Sequence, residues 1–393
     1  MGEARWWTSP RRISTQGTAL DSPAAAGLGS PAVGKKELGI AVIGAGRIGS
    51  LRARLAAAHP SVRFVAISDL DAARAAAVAE QMGAQFASGD NFEVIDRSEV
   101  DAVIVATSEP EHAAPVLHAL GRGKPVLVEK PIALTLADAD RMVDAAHRTG
   151  VELRVGYTMR FQRRYLVAKE QIVQGRLGRI VGGTGRLYNT RAHGLQILQR
   201  SAEATFVQDA LTYLVDAFGW YLEGRRPIEV FARGHGVVYR EAGYDTDDVT
   251  WAIVTFDDGT AVSLGVGYAL PPKYPTHGRL VRMEVLGEKG VLLLDEDHKE
   301  NVLYTEEGFP HAYVGHELEM VFLTSNASGN VALGEYWGPL ADETRTWLDH
   351  LVTGRPCAHA TAEHARQTLE VTLAIEQSAR SGQTVKLPLP ERI

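Results

Sequence analysis

Two groups of residues in this 393-residue chain carry side chains that could do chemistry. The first is Glu129-Lys130-Pro131, which closes the apolar run Val126-Leu127-Val128. That run reads as a buried strand, so Lys130 at its end is either solvated before a turn proline or held over a site. Over a site, its ammonium would hydrogen-bond a substrate oxygen and lower the pKa of a neighbouring acid–base group. The second group is Asp209, Tyr213 and Asp216. On a helix they stand at i, i+4 and i+7 and share one face. Three polar groups on one face of an otherwise apolar helix predict a site; the alternative is a helix face turned to water.

A glycine-rich turn gives these groups a context. Gly44-Ala45-Gly46-Arg47-Ile48-Gly49 follows the apolar run Leu38 to Ile43 and precedes a helical stretch from Ser50 to Ala58. Strand, glycine turn and helix in that order predict a dinucleotide site. Its first glycine allows the turn, the second lets a pyrophosphate approach bare backbone, and the third lets helix pack on strand, with the helix N-terminus facing the negative charge. An acidic residue closing a second strand about 20 residues on would bind the ribose hydroxyls. Asp69, after Phe64-Val65-Ala66-Ile67-Ser68, has that place. A carboxylate there repels a 2′-phosphate, Leu70 and Asp71 bring no cation, and Arg74 lies a helical turn further on. The expected cofactor is NAD, with NADP the alternative.

The elements that must position these residues fall into two regimes, and the chain is long enough for two domains. Residues 37–157 alternate strand and helix, which predicts a parallel sheet covered on both faces. Residues 158–393 bring strands in succession. Thr250 to Phe256 with Ala261 to Leu264, and Arg282 to Gly287 with Gly290 to Leu294, read as antiparallel hairpins. Helices from Phe161 to Gln174, Ala341 to Leu351 and Ala362 to Arg380 complete an α+β domain, and Leu187 to Thr205 reads as substrate-binding loop. The expected class is therefore α/β with a second domain built on a largely antiparallel, open-faced sheet. That open face offers a surface for a homodimer or homotetramer. Residues 1–36, rich in Gly, Ala, Ser, Pro and Thr without hydrophobic period, read as a flexible tail. Arg11-Arg12 is not followed by the apolar stretch of an export signal.

Composition excludes several classes. A net charge of −7 provides no basic field for nucleic acid. No apolar stretch approaches the ~20 residues that cross a bilayer. The single cysteine, Cys357, rules out an internal disulfide and fits a reducing cytoplasm; after a Gly-Arg-Pro turn, with no activating base in sight, it reads as a bystander. No His, Cys, Asp and Glu spacing reads as a metal site.

From Leu38 to Leu387 the chain resembles the Gfo/Idh/MocA oxidoreductases, a family with a Rossmann domain. The resemblance rests on Gly44 to Gly49, Ala106-Thr107-Ser108 through His112, Glu129-Lys130-Pro131, Gly156-Tyr157-Thr158-Met159-Arg160-Phe161 and Gly175-Arg176-Leu177-Gly178. It implies that Lys130 is catalytic and that Asp209, Tyr213 and Asp216 fall on the family's D-x-x-x-H-x-x-D helix motif. Thr107, Ser108, His112 and Glu129 would then join Gly44, Gly46, Arg47, Ile48, Gly49, Asp69 and Lys130 around the cofactor, although His112 at a helix start could instead be bonded locally. Lys130, Asp209, Tyr213 and Arg160 would face the substrate, Arg160 alternatively being structural. Tyr213 departs from the histidine of many members; glucose–fructose oxidoreductase and dimeric dihydrodiol dehydrogenase are similar to this chain in having tyrosine. A phenol beside Lys130 and the oxidised nicotinamide, both cationic, can act as general base in alcohol oxidation. The implied activity is an NAD(P)-dependent dehydrogenase of a sugar, inositol or other polyol. Alternatives are a dihydrodiol dehydrogenase acting on an aromatic-ring diol and an NAD-binding sensor, the latter disfavoured by the presence of Lys130.

Overall fold

The alternating pattern of residues 38–156 folds into a parallel sheet of β1 (Leu38–Ile43), β2 (Val62–Ser68), β3 (Phe86–Ser88), β4 (Ala102–Val105), β5 (Val126–Glu129) and β6 (Leu153–Gly156), in spatial order β6-β5-β4-β1-β2-β3. Helices α1 (Arg47–Ala57), α2 (Ala72–Met82), α3 (Asn91–Asp96), α4 (Ala113–Gly121) and α5 (Leu136–Thr149) connect the strands. Because β1 is buried along its whole length, it reads as an unbroken apolar run rather than an alternation. Short-range signals set the helix ends. Asp71 caps α2 by accepting from the amides of Ala73 and Arg74, and Thr135 caps α5 by accepting from that of Asp138. Gly83 and Gly150 close the two helices in the left-handed conformation. The strand order reverses between β1 and β4, which opens a crevice at their carboxyl ends. The computed structural model describes residues 37–272, 280–296, 302–310, 317–322, 330–332 and 335–390; the N-terminal stretch read as a tail lies outside the described residues.

After β6 the period changes as expected. Next come α6 (Arg163–Val173), β7 (Ile180–Thr190), α7 (Arg191–Arg200), α8 (Thr212–Tyr221), β8 (Pro227–His235), α9 (Val238–Glu241), β9 (Val249–Phe256), β10 (Ala261–Leu270), β11 (Leu280–Gly287), β12 (Gly290–Asp295), β13 (Val302–Pro310) and β14 (Glu317–Phe322). A small hairpin of β15 (Asn330–Ala332) and β16 (Glu335–Trp337) leads to α10 (Pro339–Thr353), β17 (Ala360–Thr361), α11 (Ala362–Ser381) and β18 (Val385–Lys386). Nine of these strands form one sheet, ordered β14-β13-β12-β11-β7-β10-β9-β8-β18, and both expected hairpins are present as β9–β10 and β11–β12. Every neighbouring pair is antiparallel except β7–β10.

The stretch Leu187 to Thr205 is not the loop expected of it. Much of it is α7, started by the Thr190 hydroxyl accepting from the His193 amide. Only Gly194, Ile197 and Leu198 turn inward, too few apolar side chains to announce a helix. The chain also returns to its first sheet. β17 pairs antiparallel with β6, Ala360 opposite Val155, and α10 packs on the N-terminal side. Trp347 and Leu348 of α10 are wholly buried in one cluster with Ile40, Val42 and Ile104. A leucine so buried contributes about 1.5–3 kcal/mol, so residues 339–361 stabilise the N-terminal sheet.

Candidate active site

The three glycines of the turn after β1 have different reasons to be glycine. Gly44 has φ +95°, and a Cβ there would lie 2.5 Å from the Ala106 carbonyl oxygen. A Cβ on Gly49 would lie 1.8 Å from the Gly44 carbonyl oxygen. A Cβ on Gly46 would meet nothing within 4 Å, so nothing in the chain itself excludes a side chain there. Gly46 precedes the first turn of α1 without any side-chain cap, which leaves backbone amides for an anion, and Arg47 stands exposed beside half-buried Ile48. After β4, the Thr107 hydroxyl and His112 Nε2 are buried without a hydrogen-bond partner among the described residues. His112 Nδ1 lies 3.0 Å from the Pro131 carbonyl, which can only accept, so Nδ1 carries the proton and Nε2 the lone pair. Burial holds this imidazole below its ordinary pKa, hence neutral. These orphaned groups and the open side of Gly46 fit a dinucleotide; Ser108 only starts the turn Glu109–Glu111.

Asp69 sits where the ribose is expected. Its Oδ2 accepts from the Ala45 amide at 2.8 Å, and Oδ1 accepts from the Asp71 amide at 2.9 Å and from Arg74 Nη2 at 2.6 Å. Burial alone would raise the carboxyl's pKa, yet the Arg74 and backbone hydrogen bonds lower it. The sequence reading placed Arg74 too far away to matter; α2 brings it back over one turn onto Asp69. Exchanging Asp69 for serine should therefore shift the ratio of kcat/KM toward NADP without any added arginine, since Arg74 would be released to a 2′-phosphate. Unchanged NAD preference in Asp69→Ser would remove Asp69 from the ribose site.

Lys130 and the α8 region come together. Lys130 Nζ donates to the Asp209 carbonyl at 2.9 Å, lies 3.7 Å from Asp209 Oδ1, and stands 5.1 Å from the centroid of the Tyr213 ring. Asp209 belongs to a single π-helical turn, Val207–Leu211, that leads into α8, the kind of widened turn often found at functional sites. Its Oδ2 accepts from the Tyr268 hydroxyl at 2.6 Å. Burial would raise the Asp209 pKa, but Lys130 and Tyr268 outweigh it and keep the group ionised. Burial would lower that of Lys130, but the fields of Tyr213 and Asp209 hold it above its ordinary value, so the ammonium stays charged at neutral pH. Tyr213 also meets Tyr157 edge-on, with ring centroids 6.1 Å apart.

Several assignments made from sequence change here. Asp216 does not share the face of Asp209 and Tyr213. It is fully buried, receives both Nε and Nη2 of Arg160 at 2.8 and 2.6 Å, and lies 3.1 Å from His364 Nε2. With Nη1 on the Ala358 carbonyl, Arg160 is committed to holding Asp216 and α8 rather than a substrate. Glu129 is taken up by Arg52 of α1, not by cofactor: Arg52 Nε donates to Glu129 Oε1 at 2.9 Å, Nη1 donates to the Thr344 hydroxyl at 2.7 Å, and Nη2 pairs with Glu343. Sequence reasoning missed Arg52, Glu343 and Tyr268. Of these only Arg52 left a trace, a charge at an inward position of α1 beside Gly49, Ala53 and Ala56.

Arg52→Met should cost about 3–5 kcal/mol, because it strands buried carboxylates. Chemical denaturation checks this, and a loss below about 1 kcal/mol would show that the cluster is not needed. Burial pushes the Glu343 carboxyl up to about 7, against the pull of Arg52. A carboxyl with a raised folded pKa favours the folded state at low pH, and that contribution is lost as pH rises from its ordinary 4.5 through about 7. Glu343→Gln should flatten stability over that window.

Residues 38–157 match the model of an oxidoreductase family with an NAD-binding Rossmann fold, and residues 165–293 match the GFO/IDH/MocA C-terminal domain. The chain is 27% identical over 362 residues to a myo-inositol 2-dehydrogenase of Thermotoga maritima, covering 88% of this chain and 98% of that protein. It is 32% identical over 263 residues to an inositol 2-dehydrogenase of Acidothermus cellulolyticus, covering 65% and 72%. The crystal structure of a probable dehydrogenase from Thermotoga maritima superposes with a TM-score of 0.72 at 26% identity, over 89% of this chain and 99% of that one. A dinucleotide turn, a strand-end lysine and an open-faced second sheet thus stand in one chain with matches to both domain models, and the chain belongs to the Gfo/Idh/MocA family of NAD-binding oxidoreductases.

Proposed function

We propose that the chain oxidises a secondary alcohol of a cyclic polyol, inositol being the leading candidate, with Tyr213 as general base and Lys130 as the charge that holds the reacting oxygen. The observation that carries this reading is Lys130 Nζ, fixed 2.9 Å from the Asp209 carbonyl and 5.1 Å from the Tyr213 ring. NAD supplies the hydride acceptor, and Gly44 to Gly49, Asp69, Thr107 and His112 are the residues that would hold it. Lys130 is charged at neutral pH and cannot take a proton, so it serves as donor to the alcohol oxygen. Charge stabilisation of this kind is typically worth about 3 kcal/mol. Tyr213 takes the hydroxyl proton as the carbon gives up its hydride. Asp209, held by Tyr268, fixes the ammonium by its carbonyl and balances it by its carboxylate. The inositol assignment rests on the relatives' names together with a site of hydrogen-bonding groups suited to a hydroxylated ring.

The partner of the open sheet face, in the same reading, is a second copy of the chain. Register places Phe231 opposite Ile253, Ile253 opposite Ser263, Ser263 opposite Thr184, Thr184 opposite Glu284, and Glu284 opposite Leu293, one row across five neighbouring pairs. Phe231, Ile253 and Leu293 are exposed, with Trp251 and Leu286 on flanking rows, whereas Ala252, Val254, Val262 and Leu264 bury the opposite face. A sheet covered on one side only, and apolar on the other, suits self-association.

With inositols and a panel of other polyols, reduced nicotinamide absorbance reads turnover. Tyr213→Phe should lower kcat by ~10²–10⁴-fold with NAD affinity unchanged, and Tyr213→His should recover part of the loss. Lys130→Met should cost at least ~10²-fold. Near-normal turnover in the Phe variant would pass the base role to an ordered water. For the sheet face, Ile253→Lys should reduce the mass in solution to that of the monomer while leaving circular dichroism intact; an unchanged assembly would place the interface elsewhere.

A further inference from the structure

Folding brings Glu152 to His350 and Cys357, about 200 positions further along the chain, and so gathers three potential metal ligands outside the crevice. Glu152 precedes the amino end of β6, His350 lies in the last turn of α10, and Cys357 lies in the loop between α10 and β17. One ligand atom from each lies within 4.8 Å of the other two. The separation of about 200 residues is why no spacing rule detects the set. Cys357, read from sequence as a bystander with no base nearby, has an imidazole and a carboxylate beside it and is 9% exposed.

The hydrogen bonds fix the chemistry of the imidazole. His350 Nδ1 lies 2.5 Å from the Arg355 carbonyl, and a carbonyl only accepts, so the Nδ1 proton is committed there. Nε2 then points its lone pair at Glu152 Oε2, 2.8 Å away, which is also an acceptor. Two acceptors facing each other need a cation between them. A proton, giving an imidazolium–carboxylate pair, is one solution. A metal ion is the other, and the adjoining Sγ favours it, because an ion pair has no use for a thiol. Holding Nδ1 on a backbone carbonyl is also how metal-ligating histidines are commonly oriented. Glu152 Oε1 is in turn steadied by Arg154 Nε at 2.8 Å. One nitrogen, one oxygen and one sulfur ligand suit Zn²⁺, with the fourth tetrahedral position left to water.

We propose that Glu152, His350 and Cys357 form a zinc site that pins the returning segment of residues 339–361 to the edge of the N-terminal sheet. On binding, the Cys357 thiol gives its proton to solvent as the Zn–S bond forms, and no electron transfer is involved. The site lies at the amino end of β6, whereas Lys130 follows the carboxyl end of β5, so its role is structural.

Full-length protein stripped with a chelator and titrated with Co²⁺ tests the proposal without reference to turnover. The expected result is one Co²⁺ per chain, with a thiolate-to-cobalt charge-transfer band in the near ultraviolet that Zn²⁺ displaces, and a higher thermal midpoint with Zn²⁺ than without. Cys357→Ala should abolish the band, and His350→Gln should weaken Zn²⁺ binding by about tenfold or more. Absence of stoichiometric binding by the wild-type chain, or a band that survives Cys357→Ala, would overturn the site and leave a salt bridge beside a buried thiol. Because the wild-type titration needs no variant, a misfolded mutant cannot hide the answer.

Discussion

Arg52 is 0% exposed, and a guanidinium withdrawn from water is tolerated only when its donors are met. Its three nitrogens reach Glu129 at the end of β5, Thr344 and Glu343 of α10. The arginine itself belongs to α1, whose first turn is the dinucleotide turn. One buried charge therefore ties the cofactor end of the fold, the strand that carries Lys130, and the helix that returns from the second domain. Displacing any of the three would strand a charge in the interior. This explains why α10 is held against the N-terminal sheet by more than the apolar contacts of Trp347 and Leu348.

What was legible in the sequence follows the same division. Most strands of the first domain and both hairpins of the second declare themselves because burial on two faces gives continuous apolar runs and burial on one gives alternation, whereas the short, half-buried β3 did not. The glycine turn and Asp69 are local, and so is the E-K-P motif. The nature of α7 was not legible, because only three of its residues turn inward. Nor were the partners of Glu129, Arg160 and Asp216. A charged residue in a motif looks the same in sequence whether it meets a ligand or a distant counter-charge, and Glu129 meets Arg52, 77 positions away, which also holds Glu343, 291 positions from it. The widened turn at Val207–Leu211 likewise broke the simple spacing argument: it leaves Asp209 and Tyr213 with Lys130, while Asp216 turns inward to Arg160.

The arrangement also bears on the proposal that Tyr213 is the general base. In the proposed mechanism Lys130 must stay charged beside the phenol, and its own support must not neutralise it. Lys130 meets both conditions. Its close contact, at 2.9 Å, is to a backbone carbonyl, which orients the ammonium without cancelling it, while the Asp209 carboxylate stands further off at 3.7 Å. The carboxylate in turn spends part of its hydrogen-bonding capacity on Tyr268. A direct short carboxylate–ammonium pair in the same place would hold the lysine more firmly and serve the phenol less. In the proposed mechanism Tyr268 would act at one remove, by occupying Asp209 Oδ2.

Lys130 comes from the first domain, and the groups that orient it come from the second: Asp209 from the turn before α8, Tyr213 from α8 and Tyr268 from β10. Neither domain holds a working set alone. The precision of the site then depends on what holds β5 and what holds α8, and a buried ion pair does so for each. Arg52 anchors Glu129, next to Lys130, and Arg160, reached through the segment after β6, anchors Asp216, one turn along α8 from Tyr213. Both pairs are nearly or fully shielded from water on the arginine side, so added salt screens them far less than it screens surface pairs. The chemistry proposed for Lys130, Asp209 and Tyr213 would then rest on charged residues, Glu129, Arg160 and Asp216, that looked equally functional in sequence and are instead held in ion pairs.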